Sequence, residues 1–372
     1  MAIFNLLRER PYLMPRIQGM VNGKENILIV LIAGIGDLVL ASMSIRALRA
    51  GFPDADIHLL TSTEASILAK NYEFLDHVWA FPIRELRRDK RYLFNILRLI
   101  LDIRKIEFFS IINLYMVGST AGALKMGLLF LLLKSKIRIG HGNKGFSFFL
   151  TKKAPRETFQ NRHLADAMMD IAILAGGVND KKGIEVFWDK DCENKWKDLF
   201  LDKPSKKIIG INPGGDRKNR RWNSYHYAAV ADRLIEEFDA SIVILGGHGE
   251  EEISLTVQNS MKNKATNLAG KLSLDDLAYI ISRLDLLVTN DSGPMHIGAA
   301  TKTPIIAIFG PEDPLMTRPY TSSDLYRLIS EPVHCRPCNK DECDNLVCLD
   351  LITPEMVFEK CAELLQNKNQ RL

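Results

Sequence analysis

The chain has 372 residues, 47% hydrophobic and 25% charged, with a formal net charge of +4. That length is too great for a single core and suits two domains, and the ordinary globular composition excludes a disordered or fibrous protein. So small a positive excess gives no ground for a nucleic-acid partner, and none is expected.

Residues 1–24 mix Arg and Glu with two prolines and lack the continuous apolar core of a secretory signal, so a cytoplasmic protein is expected. Residues 26–32 (NILIVLI) form a short buried strand that ends at Ala33-Gly34-Ile35-Gly36-Asp37. A helical pattern follows through Leu40, Ile45 and Leu48 and stops at Gly51-Phe52-Pro53, before a strand over 56–60. This is a β-loop-α-β unit of the length of a parallel crossover. A dinucleotide fingerprint would need a small third residue at position 39, which is Val39, and a lone G-x-G is a weak signal. Asp37 has two readings: a cap for the helix that follows, or a carboxylate at a strand's carboxyl end able to act as a general base.

Further strands are predicted at 110–114 and 137–140, with helices at 92–104, 121–133 and 163–175. Basic charge gathers here in residues 84–91 (RELRRDKR), Arg98, Arg104, Lys105, Lys134, Lys136 and Arg138. It reads either as solvated helix faces or as a surface for anionic lipid or a phosphorylated acceptor. The most apolar stretch, 126–133, lies between Lys125 and Lys134 and is far short of the roughly 20 residues that span a bilayer. Burial of this helix is favoured, with contact at a membrane surface left open.

Residues 188–207 are polar, with Pro204 and several lysines, and the domain boundary is placed inside them, dividing the chain into 1–195 and 196–350, with a C-terminal helix in 351–372 that would pack back toward the first domain. The pattern then restarts: strands over 207–212, 241–245, 266–268 and 284–289, helices over 225–238 and 273–283. Strands alternating with helices in both halves indicate an α/β protein of two doubly wound, Rossmann-like domains facing each other across a cleft.

Three loops of the second half follow strands. Residues 212–222 (NPGGDRKNRRW) hold four cations beside a Gly-rich turn, an arrangement that suits a diphosphate, for which Arg offers paired donors. In Gly246-Gly247-His248-Gly249-Glu250-Glu251-Glu252 the glycines allow close approach, and a carboxylate there suits ribose hydroxyls or simply opens a helix. His248 has no visible partner in sequence. Residues 286–311 read strand, polar loop, short helix, strand, with Asp291, Ser292, Gly293, Met295 and His296 at or just after the loop. Helix-opening amides there suit an anion such as a pyrophosphate.

Cysteines cluster as Cys335-x2-Cys338-x4-Cys343-x4-Cys348, while Cys192 and Cys361 stand apart. Four thiolates so close could hold a structural zinc, although the spacing departs from a zinc ribbon; reduced thiols packing a loop are the alternative.

Several motifs occur in one order: Gly34-Ile35-Gly36-Asp37; Asn212-Pro213-Gly214 with Arg220-Arg221-Trp222; Gly246-Gly247-x-Gly249-Glu250; Leu268-Ala269-Gly270-x-x-Ser273-Leu274; residues 289–296 (TNDSGPMH); and Phe309-Gly310-Pro311-x-Asp313-Pro314. The cysteine group trails them. In this set the chain resembles glycosyltransferase family 9, the ADP-heptose:lipopolysaccharide heptosyltransferases. The resemblance implies a GT-B fold, an acceptor domain followed by a donor domain, and inverting transfer of heptose from ADP-heptose with no metal or other cofactor. It implies Asp37 as general base beside Gly34 and Gly36, and a donor site of Arg220, Arg221, Glu250 or Glu251, Asp291, Ser292, Gly293, Met295 and His296. Arg220 stands where the family often has Lys. The implied partners are a nucleotide-sugar donor and an anionic, lipid-linked glycan acceptor such as a lipopolysaccharide inner core, at the cytoplasmic face of an inner membrane. A GT-B protein using another activated sugar, a non-catalytic nucleotide-binding module, and a nicotinamide dehydrogenase are the alternatives; Val39 disfavours the last.

Overall fold

The structure, a computed structural model, describes residues 25–369 except 144, 156–161, 202–205, 339, 341 and 342; the expectation for residues 1–24 therefore lies outside the described residues. The first half contains β1 (Asn26–Leu31), α1 (Ile35–Gly51), β2 (Asp56–Ser62), α2 (Thr63–Ala69), β3 (His77–Phe81), α3 (Ile83–Arg88) and α4 (Tyr92–Ile103). It continues with β4 (Phe108–Asn113), α5 (Thr120–Leu132), β5 (Ser135–His141), β6 (Lys152–Ala154) and α6 (Leu164–Ala175). The helix α7 (Asp191–Leu201) leads into the second half, which holds β7 (Ile208–Asn212), α8 (Ser224–Phe238), β8 (Ser241–Ile244), α9 (Glu251–Ser260), β9 (Thr266–Asn267) and α10 (Leu274–Ser282). Last come β10 (Leu286–Asn290), α11 (Gly293–Ala300), β11 (Ile305–Ile308), α12 (Pro314–Thr317), β12 (Tyr326–Ile329), α13 (Val347–Asp350) and α14 (Pro354–Asn369).

Each half folds around one six-stranded parallel sheet, ordered β3-β2-β1-β4-β5-β6 and β12-β11-β10-β7-β8-β9. A parallel sheet is covered on both faces, which is why its inner strands read as unbroken apolar runs; Ile27 to Leu31 have no exposed surface. Side chains alternate between the faces. Ile27, Ile29 and Leu31 join a core with α1, α2 and α6 that continues into α10 and α11 of the second half. Leu28 and Val30 face the opposite way, under α4 and α5. The outer face of the second sheet is covered by α8 and α14. This is the GT-B arrangement of two Rossmann-like domains.

Two boundaries differ from the sequence reading. A division at 195/196 would cut α7, and α7 is tied to the second half: Lys195 Nζ and Trp196 Nε1 each donate to the Asp276 carboxylate at 2.7 Å. Asp276 is buried as the N3 residue of α10, so those donors compensate a charge that burial would otherwise penalise. The C-terminal helix α14 does not reach back toward the first domain among the described residues. Its Val357, Phe358, Cys361, Leu364 and Leu365 pack with Trp222 and Tyr227 under the second sheet.

Candidate functional site

In each sheet the strand order reverses once, between β1 and β4 and between β7 and β10. A crevice opens at the carboxyl ends of the strands at such a point, and ligands bind there. The loop after β1 leads into Asp37; the loops after β7 and β10 carry Arg220 and Asp291. The sites of the two halves meet because α1 abuts α11. Gly36 has no side chain to prevent this: a Cβ there would stand 2.6 Å from His296 Cδ2.

Asp37 is the third residue of α1, and its Oδ2 accepts a hydrogen bond from the Gly34 amide at 3.2 Å. The cap reading is therefore realised, and it leaves Oδ1 for other work. Burial raises the pKa of Asp37, opposed by the Gly34 bond and by the positive charge of Arg220. The carboxylate keeps some contact with the cleft while protein surrounds it.

Across the cleft, Arg220 Nη1 donates to Asp291 Oδ2 at 3.1 Å and Nη2 is paired with Glu312. Glu312 also receives Arg217 Nη1 at 3.1 Å. Asp291 is 3% exposed, and burial lifts its pKa to about 6; Arg220 lowers it, while Glu312 and Asp37 raise it further. Two carboxylates thus bond one guanidinium, whose charge also acts on Asp37. His296 is buried beside them, and burial, with His163 and Arg220 adding, pushes its pKa down to about 3, so its ring is neutral. Arg220 Nε and His296 Nδ1 are buried and have no hydrogen-bond partner among the described residues. Each such atom costs about 1–3 kcal/mol, which a ligand with complementary groups recovers.

The loops are held by residues whose own hydrogen bonds are complete. Asn290 Nδ2 donates to the carbonyls of Pro213 and Gly214 at 2.9 and 3.0 Å, and its Oδ1 accepts from the Trp222 amide at 3.0 Å and the Tyr227 hydroxyl at 2.9 Å. Glu250 accepts from the amides of Gly215 and Gly247 at 2.6 and 2.8 Å, joining the loops after β7 and β8. Arg221 Nε and Nη2 both donate to the Gly215 carbonyl, at 2.8 and 2.6 Å. Arg221 also lines, with Gly249, Glu252, Ile253 and Thr256, an open polar cavity of about 260 Å³. Glu251 accepts from the Gly249 amide at 2.7 Å.

Of the residues singled out in the sequence, the structure gathers Asp37, Gly36, Arg220, Asp291 and His296 at one point. Ser292 holds the N-cap position of α11 without a side-chain capping hydrogen bond, and Gly293 packs near Ile35. Met295 has no exposed surface; rather than lining the donor position its side chain packs in the shared core. Glu312, the unspecified residue of Phe309-Gly310-Pro311-x-Asp313-Pro314, joins the gathered residues at Arg220, and in the sequence its one signal is its location after a buried strand. The cysteines are all free; Cys335, Cys338, Cys343 and Cys348 line one small apolar cavity, and among the described residues no three His, Cys, Asp or Glu side chains are grouped to hold a metal.

Side chains bridge the halves around this site. Arg84 of α3 pairs with Asp216 and, at 3.1 Å, with Glu64. Asn71 Nδ2 donates to Asp275 at 2.6 Å and Tyr320 Oη to Asp166 at 2.6 Å. The amide of Ala165 fixes His163 Nδ1 as an acceptor, so Nε2 carries the proton and donates to the Arg318 carbonyl at 2.8 Å.

Residues 112–348 match the family model described as glycosyltransferase family 9 (heptosyltransferase). The chain belongs to glycosyltransferase family 9. The lipooligosaccharide heptosyltransferase 2 of Campylobacter jejuni is 32% identical over 182 residues, 47% of this chain, and the match covers only 56% of that relative's length. The lipopolysaccharide core heptosyltransferase OpsX of Haemophilus influenzae is 24% identical over 307 residues, 81% of this chain and 83% of its own. A family 9 glycosyltransferase from Veillonella parvula superposes with a TM-score of 0.77 at 22% identity, covering 94% of this chain and 99% of that one. The Escherichia coli heptosyltransferase WaaC, solved with ADP, gives 0.70 at 15% identity, covering 91% and 99%. These likenesses establish the GT-B fold for this family 9 member.

Proposed function

We propose that this family 9 protein is an inverting transferase that moves heptose from ADP-heptose to a lipid-linked, anionic glycan acceptor. The observation that carries the reading is the convergence of Asp37 from the first domain with Arg220, Asp291 and His296 from the second, among which Arg220 Nε and His296 Nδ1 are buried without a hydrogen-bond partner among the described residues. A base on one wall and anion-stabilising groups on the other are what a displacement at an anomeric carbon requires.

In this reading Asp37 takes the proton of the acceptor hydroxyl as its oxygen bonds to the anomeric carbon. The bond from that carbon to the diphosphate oxygen breaks, and ADP leaves with the electron pair. The sugar passes through an oxocarbenium-like state, as in glycoside cleavage. Arg220, with Arg217 nearby and the amides opening α11, stabilises the charge that gathers on the diphosphate. The 260 Å³ cavity beside Arg221 and Gly249 would take the nucleoside. Closure of the two domains excludes water and limits hydrolysis of the donor.

Incubation with ADP-heptose and a heptose-deficient core acceptor should release ADP and extend the acceptor. Calorimetry against ADP-, UDP- and GDP-sugars should show preference for the ADP series. ADP binding without release on any acceptor would support the alternative of a binding module.

A further inference from the structure

We propose that His163 of the first domain is a positioning residue for transfer: its bond to the Arg318 carbonyl fixes where Asp37 stands relative to the donor loops of the second domain. The inference rests on the transfer reading for its effect on turnover, whereas its effect on the placement of the domains is read without any sugar.

The segment between β11 and β12 touches both sides of the cleft. At its start Glu312 pairs with Arg220 and, at 3.1 Å, with Arg217. Asp313 caps α12, its carboxylate accepting from the Leu315 amide at 2.9 Å, and Arg318 Nη1 donates to the Leu315 carbonyl at 3.0 Å. Pro314 opens this short helix and Pro319 follows it, so two fixed φ angles stiffen the segment. Its far end meets the first domain. The Arg318 carbonyl accepts from His163 Nε2 at 2.8 Å, Tyr320 Oη donates to Asp166 at 2.6 Å, and the His163 and Tyr320 rings lie 4.7 Å apart. Burial and the adjacent carboxylate raise the pKa of Tyr320, so its hydroxyl stays a donor.

His163 is the N-cap of α6 and Asp166 lies in its first turn, and α6 is bound to α1 along its length. Ala165, Met168, Ile171 and Ala172 share a core with the buried side of α1. Where the two helices end, a Cβ at Gly51 would overlap the Gly176 carbonyl oxygen, and the Val178 amide donates to the Ala47 carbonyl at 2.8 Å. Asp37, the third residue of α1, is therefore carried with His163. One connected path runs from Asp37 through α1, α6, His163 and Arg318 to Glu312 and Arg220.

Other bridges between the halves are less suited to this work. Arg84 and Asp216 pair through long side chains that are 40% and 69% exposed, where solvent screening and side-chain freedom leave little net gain. His163 is 3% exposed, uses both ring nitrogens, and bonds to main chain rather than to a flexible side chain. Burial lowers its pKa, opposed by the Arg318 bond, so the ring is neutral and its tautomer is set. The contact of Gly36 with His296 is steric and limits approach; the His163 bond adds direction.

Two substitutions separate the two functions of the imidazole. His163→Asn puts an amide oxygen near the place of Nδ1 and keeps the cap on Ala165, but is too short to reach Arg318. His163→Gln reaches the carbonyl with an amide N–H and gives up the cap. Turnover at saturating donor should fall about tenfold to a hundredfold in His163→Asn, while ADP affinity and donor KM change by less than about threefold. His163→Gln should keep turnover within about threefold of the parent, yet melt below His163→Asn. A role in stability alone predicts the reverse order of activity. Small-angle scattering with ADP bound should show a larger radius of gyration for His163→Asn and the parent value for His163→Gln. Hydrogen exchange over residues 314–320 should quicken in His163→Asn only. Tyr320→Phe removes the Asp166 bond without touching the cap; it should move turnover, scattering and exchange the same way by less, and it carries the test if His163→Asn does not fold. Parental turnover in His163→Asn, turnover in it above that of His163→Gln, unchanged scattering or unchanged exchange would each overturn the proposal. A parent that transfers no sugar to any acceptor, alongside an expanded His163→Asn protein, would count against the proposed activity and uphold the tie between the domains.

Discussion

His296 of the second domain packs against Gly36 of the first so closely that a Cβ at position 36 would lie 2.6 Å from its Cδ2. The glycine is needed for approach, because any side chain there would push α1 from α11. Gly36→Ala should therefore slow transfer by about tenfold to a hundredfold by displacing Asp37 from the reacting atoms. ADP affinity, which the proposed reading assigns to loops of the second domain, should change by less than about threefold, a difference of under 1 kcal/mol. If the effect is steric, Gly36→Ala/His296→Ala should be no slower than His296→Ala alone.

In the proposed reading Asp37→Asn removes the base while keeping the shape and, with the amide oxygen turned to Gly34, the contact that Asp37 Oδ2 now makes. Turnover should fall by about 10²–10⁴-fold, the usual range for general base catalysis, with ADP binding retained. Because burial raises the pKa of Asp37, the acid limb of the wild-type pH profile should sit above the ordinary carboxylate range and disappear in the variant. An active Asp37→Asn protein would count against the assignment.

Asp291 should trade stability for function. Its pKa of about 6 in the folded protein lies above the ordinary 3.8 of an aspartate, so the folded state binds the proton more tightly than the unfolded one. The group's contribution is then most favourable below pH 3.8 and is lost as pH rises to about 6. Asp291→Asn has no charge to bury and should be more stable than the parent at pH 7–8 by roughly 1–3 kcal/mol, with the difference shrinking toward pH 4. Thermal denaturation across that pH range reads it, and a difference that does not vary with pH would refute the burial argument. Transfer activity should be lost in the same variant.

Asn290 supports the loops rather than the chemistry. Asn290→Asp would set a carboxylate oxygen against the carbonyls of Pro213 and Gly214, which now accept from its amide. The buried carboxylate would keep the Trp222 and Tyr227 donors on one oxygen but lose both partners of the other, at an expected cost of about 3 kcal/mol or more, read as a fall in urea midpoint. Asn290→Ala should cost less, since it leaves polar groups unpaired but adds no charge.

The inner strands were legible because a strand covered on both faces is apolar at every position. Asn26–Leu31 and Leu286–Asn290 were found within two residues for that reason. The strands His77–Phe81, Lys152–Ala154 and Tyr326–Ile329 were not, and each is a sheet edge, although the fourth edge, Thr266–Asn267, was. An edge pairs on one side only, so its identity depends more on a neighbour distant in sequence. The site divides in the same way. Asp37, Arg220 and Asp291 announced themselves as polar residues at the ends of apolar runs. Glu312, the tie between Gly36 and His296, and the completed hydrogen bonds of Asn290 depend on how the loops of the halves meet, which no local spacing encodes.

Among the described residues Arg220 is the one guanidinium that Asp291 and Glu312 both receive, and its charge is felt by Asp37 as well. A diphosphate arriving at Arg220 must therefore share it with carboxylates already in place. Arg220→Lys keeps the charge but cannot make two parallel bonds, so it should weaken ADP binding by about tenfold while preserving the fold. Arg220→Met should do more, because it strands a buried Asp291 and leaves Glu312 with Arg217 alone. Removing a competitor acts in the opposite direction. Glu312→Gln takes a negative charge from beside the incoming phosphates and should tighten ADP by a few-fold, an effect that shrinks at high salt. The same substitution relieves the repulsion that raises the pKa of Asp291, so the carboxyl should titrate lower than in the parent. Calorimetry with ADP at low and high salt measures the first effect, and carbon-detected NMR titration of Asp291 measures the second. If Glu312→Gln weakens ADP instead, Glu312 orients Arg220 for the phosphates more than it competes with them.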